Sequence, residues 1–311
     1  MNLPATITAG VYLNIEDADY RKAPGVSNSM LKVLRSRWSP EYTKQRLAKP
    51  KPPSDAMAFG KALHGSLLTP EVKPTFVVLP ADAPKYPTKA QINAKVPSPE
   101  TVAAIKWWKD FETANAGLDV LQPHGNYGGR RLECTLNKFR SHRMAMAAIG
   151  EGHAEVSVFA PFNLGGSVMR KMRADWVCAG PTIVDLKTAM DCSPKCAGKR
   201  DEFSAQLYDL DYDMQAAYYL DTYNAAKPDD RKDNFVFVAM DWDEDTEFVG
   251  IRVGNSDEAL LKSGREKYVE ALTKWIECDR DGKWGEGYDP EVTSLSIPEF
   301  AAKKFRSIQL V

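Results

Sequence analysis

The 311-residue chain has no apolar run long enough to cross a bilayer, and its N-terminus lacks the basic, apolar and small-residue succession of a secretory signal. Both absences point to a soluble, cytoplasmic protein with no membrane partner. Cysteine is scarce: five residues, at 134, 178, 192, 196 and 278, an odd number without a regular framework. They read as reduced thiols, not as a disulfide scaffold. Cys192 and Cys196 have C-x-x-x-C spacing, which matches neither a common zinc ribbon nor the C-x-x-C element of an iron–sulfur clasp, so no iron–sulfur cluster is expected. Also missing are a G-x-G-x-x-G loop and a Walker element, which removes the common dinucleotide- and nucleoside-triphosphate-binding classes. No internal repeat or coiled-coil heptad is present.

Net charge is close to zero, which argues against a protein that coats nucleic acid indiscriminately. The charge is unevenly spread, however: residues 1–150 carry 21 Lys and Arg against 12 Asp and Glu, and residues 151–311 carry 20 against 30. A basic front half can supply a phosphate-binding wall and an acidic back half can supply metal ligands; solvated helix faces would give the same imbalance. With 43% apolar residues the chain can bury a substantial core, and nothing in it marks a clean domain boundary. The expectation is one domain over 1–311, with a mostly helical part over about 25–150 and a sheet core over about 151–300.

Asp175, Asp185 and Lys187 stand in Met172-Arg-Ala-Asp-Trp-Val-Cys-Ala-Gly-Pro-Thr-Ile-Val-Asp-Leu-Lys-Thr188. Ala179-Gly180-Pro181 reads as the turn between two strands. In a strand of period two, Asp185 and Lys187 share one face while Val184 and Leu186 take the other. Carboxylates can hold a hard divalent cation, and a lysine can orient or help deprotonate a water for attack on a phosphodiester. D-x-K alone is a weak pattern, since an ordinary hairpin with one solvated face has the same signature.

Around this hairpin, Ser27-Asn-Ser-Met-Leu-Lys-Val-Leu-Arg-Ser36 reads as a capped helix, Pro40 starts another, and Ser54 opens a third that ends before Pro70. Residues 77–98, rich in proline and lysine, read as a surface excursion or mobile insertion, followed by a helix over Thr101 to Asn115 and a flexible loop over Gly125 to Gly129. Strands are expected over Ala154 to Ala160, Ser167 to Val177 and Thr182 to Thr188. Helices follow over Lys199 to Gln206 and Tyr212 to Ala226, then strands over Asn234 to Asp241 and Glu247 to Val253, then a helix over 255–278. This order implies an α/β (α+β) fold with a mixed central sheet flanked by helices.

His64, in Phe59-Gly-Lys-Ala-Leu-His-Gly65, reads as a packed or surface histidine unless an oxygen-rich metal site gives it work as a nitrogen ligand. Gln215 and Tyr219 share a helix face four residues apart and can meet a phosphate, a catalytic group or a base, or can simply pack at a core helix end.

Ser27-Asn-Ser-Met-Leu with Ser39-Pro40, Phe59-Gly-Lys-Ala-Leu-His64, Arg173-Ala-Asp175, Val184-Asp-Leu-Lys-Thr188 and Gln215 with Tyr219, in that order, resemble the PD-(D/E)xK nuclease superfamily. Within its RecB-like branch they are most similar to the nuclease domain of exodeoxyribonuclease VIII (RecE) and phage relatives, over about residues 25–300. Ala174 stands where the family name has proline. The resemblance implies a restriction-endonuclease-like core with a helical N-terminal elaboration. It implies Mg²⁺, or Mn²⁺, held by Asp175, Asp185, His64 and the carbonyl of Leu186, with Lys187 positioning the attacking water. Gln215 and Tyr219 would organise the site and the bound strand. Glu155 would have an outer-shell role or serve a second metal, and Arg173 and Lys171 would meet phosphates, although a strand face of structural ion pairs fits those two cations as well. The implied activity is a 5′ to 3′ exonuclease resecting linear duplex DNA for recombination, of phage or prophage origin, as a ring-like homo-oligomer with a single-strand annealing partner. A structure-specific or adaptation-type endonuclease, or a non-catalytic DNA-binding member, are the other readings.

Overall fold

Helix starts are set by side chains that replace missing backbone partners. Ser27, Ser39, Ser54 and Ser98 each sit in extended backbone and accept from the amide three residues on, and Pro40 and Pro99 occupy first-turn positions where no amide bond is lost. The computed structural model describes residues 7–49, 52–194, 196, 201–285 and 288. Its first half comprises β1 (Gly10–Tyr12), α1 (Asp17–Lys22), β2 (Val26–Ser27), α2 (Asn28–Arg37), α3 (Pro40–Ala48), α4 (Asp55–Leu68), β3 (Phe76–Val78), α5 (Lys89–Ile92), α6 (Pro99–Ala114) and β4 (Asp119–Leu121). Two helices, α7 (Gly129–Ser141) and α8 (Arg143–Ala148), lead to the hairpin strands β5 (Gly152–Asn163), β6 (Ser167–Cys178) and β7 (Thr182–Thr188). Then come α9 (Glu202–Asp209), α10 (Tyr212–Ala226), β8 (Asn234–Met240), β9 (Ile251–Asn255) and α11 (Glu258–Asp281).

Seven strands form the main sheet in the order β1-β5-β6-β7-β8-β9, with β2 alongside β6. β7 and β8 run parallel, joined by the crossover through α9 and α10, and β2 is parallel to β6; the remaining pairs are antiparallel. The sheet is therefore mixed and flanked by helices, as the element order implies. One face packs on α2, α10 and α11 through Leu31, Leu34, Met214, Tyr218, Phe235, Phe237, Tyr268 and Leu272. The other packs on α4, α7 and α8 through Phe59, Leu63, Leu132, Phe139, Val184, Leu186 and Val238. β7 obeys the period-two expectation, since Ile183 enters the first core and Val184 and Leu186 enter the second. At the α10–α11 crossing, a Cβ on Gly264 would collide with the Asp213 carbonyl, so the helices approach closely only because this position has no side chain.

Several elements differ from the sequence reading. The 77–98 segment is pinned: β3 pairs with β4, Thr88 and Gln91 form a capping box on α5, and the Trp108 indole donates to the Pro84 carbonyl at 2.9 Å. Residues 129–141, of which the sequence reading covers only Gly129 as the end of a loop, form α7, whose buried Leu132 and Phe139 lie seven residues apart on one face. The last strand begins at Ile251 instead of residue 247. A turn intervenes, in which Asp243 Oδ1 accepts from the Thr246 amide at 2.8 Å and Glu247 takes a φ of 54°. The helix expected at 199–206 spans Glu202–Asp209, and its proposed start at Lys199 lies outside the described residues.

Candidate active site

Where β6 and β7 separate, their ladder ends. The last paired residues are Trp176 with Val184 and Val177 with Ile183, so the next step in register sets Asp175 against Asp185. No strand amide faces Leu186 across this fork; instead its N–H donates to Asp175 Oδ2 at 2.8 Å. The N–H and C=O of one strand residue share an edge, which directs the Leu186 carbonyl into the same gap.

On the other side of β6, Ala154 pairs with Trp176 and Val156 with Ala174, which puts Glu155 opposite Asp175. Glu155 has φ 51°, a left-handed conformation inside a strand, where a residue with a Cβ is strained. The alternation of β5 and β6 changes phase here. Val156, Val158, Met172 and Ala174 belong to the core under α10, whereas Ala154, Trp176 and Cys178 pack into the core under α4. The irregularity aims two carboxylates at the sheet end, and so Glu155, Asp175 and Asp185 form a row across three strands.

Helices close the row from opposite faces. The buried side of α4, with Phe59, Ala62 and Leu63, seats that helix on the sheet and brings His64 Nδ1 to 3.6 Å from Asp175 Oδ2. Ligand atoms of His64, Glu155 and Asp175 all lie within 4.8 Å of one another. From the other face, α10 supplies buried Gln215, whose Nε2 donates to Asp185 Oδ1 at 2.6 Å. The Lys187 ammonium forms an ion pair with Asp185 Oδ2. Burial pushes the Asp185 carboxyl up to about 6; Lys187 opposes that rise and Asp175 adds to it. Burial works against the Lys187 ammonium too, but Asp185 and Asp175 outweigh it and hold its pKa above the usual lysine value. Glu155 is raised by burial and then by Asp175. A nitrogen and crowded carboxylates whose mutual repulsion a cation would relieve fit a hard divalent metal.

Three expected DNA contacts have other work. Lys171 is buried, and its Nζ donates to the carbonyls of Tyr20, Arg21 and Ala23 at 3.3, 3.2 and 2.6 Å, which clamps the C-terminal end of α1. Arg173 donates to the Ile15 carbonyl at 2.5 Å and to Ser157 Oγ at 3.1 Å, lies over the Tyr20 ring and pairs with Glu155 at 3.9 Å. These cations share the β6 face that α1 covers, so they hold that helix beside Glu155. Tyr219 follows Gln215 by one turn, yet its ring packs edge-on against Phe235 at 6.0 Å and supports the site from within. The sequence reading includes Tyr212 in the motif stretch Tyr212-Asp-Met-Gln215 through Tyr219 but gives no role to it or to Lys32; both lie beside Lys187. Lys32 falls within the capped-helix motif, but no spacing singles it out, because its neighbourhood comes from α9 and α10.

A family model described as a PDDEXK-like domain of unknown function (DUF3799) matches residues 27–287. Among curated proteins, none matches this chain. Among solved structures, a candidate exonuclease from Eubacterium rectale superposes with a TM-score of 0.55 at 14% identity, over 96% of this chain and all of the other. At that identity the likeness concerns the fold alone. The protein SSO0001 reaches a TM-score of 0.24 at 15% identity, over 54% of this chain and 69% of its own, too little to bear on the fold.

Proposed function

Because the chain belongs to the PDDEXK-like family, built on a nuclease fold, we propose that it is a divalent-metal-dependent deoxyribonuclease acting as a 5′ to 3′ exonuclease on linear duplex DNA. The observation that carries this reading is the convergence of His64, Glu155 and Asp175 on one point beside the buried Lys187–Asp185–Gln215 chain. His64, Glu155, Asp175, Asp185 and the Leu186 carbonyl would hold Mg²⁺ or Mn²⁺. A metal bound there supplies Lewis acidity at a phosphoryl oxygen and lowers the pKa of a coordinated water.

The chain's own groups do the rest. The water oxygen bonds to phosphorus as the bond to the leaving sugar oxygen breaks; the water gives one proton to solvent, and the departing oxygen takes one from solvent. Lys187, protonated and directed by Asp185, orients the attacking water and meets the negative charge that grows on the phosphoryl oxygens. Gln215 keeps Asp185 in one rotamer. End-dependent attack agrees with the description of the Eubacterium rectale neighbour as a candidate exonuclease. The motif resemblance further supports a homo-oligomer that leaves 3′ single strands for an annealing partner in phage-type recombination.

Duplex labelled separately at each 5′ end, compared with closed circular DNA, tests the reading. With Mg²⁺ the protein should release label from linear ends and leave circles intact, and EDTA or Asp185→Ala should stop it. Cleavage of closed circles would replace the exonuclease by an endonuclease, and equal activity in Asp185→Ala would remove the assignment.

A further inference from the structure

Lys187 is not the only ammonium at the Tyr212 ring. Its Nζ lies 4.8 Å from the ring centroid, and the Nζ of Lys32, reaching over from α2, lies at the same distance. The two cations are thus separated by no more than twice that length. Lys32 Nζ donates to the Leu210 carbonyl at 2.6 Å, its one hydrogen bond among the described residues, which leaves two of its three N–H donors for another acceptor. Like charges this close in a half-buried setting repel; Asp211, Asp185 and Asp213 attract Lys32 from farther off, but among the described residues no ion pair joins it to a carboxylate, whereas Lys187 has Asp185. Burial first and then the Lys187 charge bring the Lys32 pKa down to about 8, against the opposing pull of those three carboxylates. A phosphate arriving between two such close ammonium groups would relieve their mutual repulsion, which suits a polyanion site.

We propose that Lys32 is a phosphate-binding residue of this site, holding the strand at a phosphate next to the one that Lys187 serves, with the Tyr212 ring as the spacer. The inference rests on the nuclease reading. It makes the substrate a strand with at least two phosphates and not an isolated phosphodiester. It also gives α2 a direct part in binding.

The test is the salt dependence of affinity. Fluorescence anisotropy of a labelled duplex is measured with the wild-type protein, Lys32→Ala, Lys32→Met and Lys32→Arg over a range of KCl. Ca²⁺, which takes the same oxygen ligands, replaces Mg²⁺. Loss of one phosphate contact makes the slope of log affinity against log salt shallower by about 0.9. The ratio of wild-type to Lys32→Ala affinity should then grow about eightfold for each tenfold drop in salt. Lys32→Met, which keeps the aliphatic packing, should behave like Lys32→Ala, and Lys32→Arg should keep the wild-type slope. If wild type cleaves DNA and Lys32→Met melts like wild type with an unchanged slope, Lys32 only packs against Leu210 and the inference is overturned while the nuclease reading stands. A wild-type protein that neither binds nor cleaves DNA overturns both.

Discussion

Replacing Gln215 by Met removes one hydrogen-bond donor and little volume, so it isolates the 2.6 Å bond to Asp185 Oδ1. Both residues are buried. A bond to an ionised group contributes about 1.5–3 kcal/mol and one between neutral groups about 0.5–1.5 kcal/mol. The Asp185 carboxyl titrates at about 6, pushed there by burial, so it is ionised at pH 8 and mostly protonated at pH 5. The lost bond favours the ionised form, and its removal raises the folded-state pKa further above the unfolded value. The extra destabilisation is therefore full above the variant's pKa and shrinks as pH falls through about 6. Urea denaturation of metal-free protein should give a loss of about 1.5–3 kcal/mol at pH 8 and about 0.5–1.5 kcal/mol at pH 5. The difference of about 1–1.5 kcal/mol corresponds to a rise of about one unit in the Asp185 pKa of the metal-free protein. Equal losses at both pH values, or a larger one at pH 5, would refute the claim that Gln215 acts by stabilising ionised Asp185.

Lys187→Ala should lower the rate of cleavage by roughly 10²–10⁴-fold, measured as single-turnover decay of labelled duplex, because the ammonium meets charge that grows during reaction. Lys171→Met should destabilise the fold by about 1.5–3 kcal/mol in urea, since three carbonyls lose a charged donor, while the salt slope of DNA affinity stays at its wild-type value. Asp201→Asn tests the contact between the start of α9 and β9. The Arg252 guanidinium, at 2.7 Å from both carboxylate oxygens, holds the Asp201 carboxyl well below the usual range. The contribution of that ionised group is present above the ordinary carboxylate pKa and is lost as pH falls toward the depressed one. Variant and wild type should therefore differ in urea midpoint at pH 7 and converge in acid.

How much was legible depends on how local each cause is. The helices begun by Ser27, Ser39 and Ser54 follow from a side-chain oxygen and an amide three residues away, and β7 follows from alternation within seven residues. For the same reason, Asp185 and Lys187 could be assigned to one strand face in advance. The two- and three-residue strands β1 to β4 could not be read, because nothing in so short a run distinguishes it from coil until a partner strand is present. α7 could have been found, since its apolar period is in the chain, but Gly125 to Gly129 drew attention to the loop before it.

By itself, the sequence determined the chemical inventory: the acids, the lysine, the histidine and the glutamine, their order, and the faces that periodicity assigns them. The tertiary structure decided which of them act together. The fork between β6 and β7 turns the Leu186 amide toward Asp175, and the left-handed Glu155 switches the phase of the β5–β6 hairpin so that a third carboxylate joins the row. It also buried Lys171 and engaged Arg173 under α1, and it brought Lys32 to a ring that Lys187 already occupies. These outcomes depend on contacts between residues far apart in the chain. The free energy of a charge is set by its three-dimensional surroundings, and spacing along the sequence does not contain them.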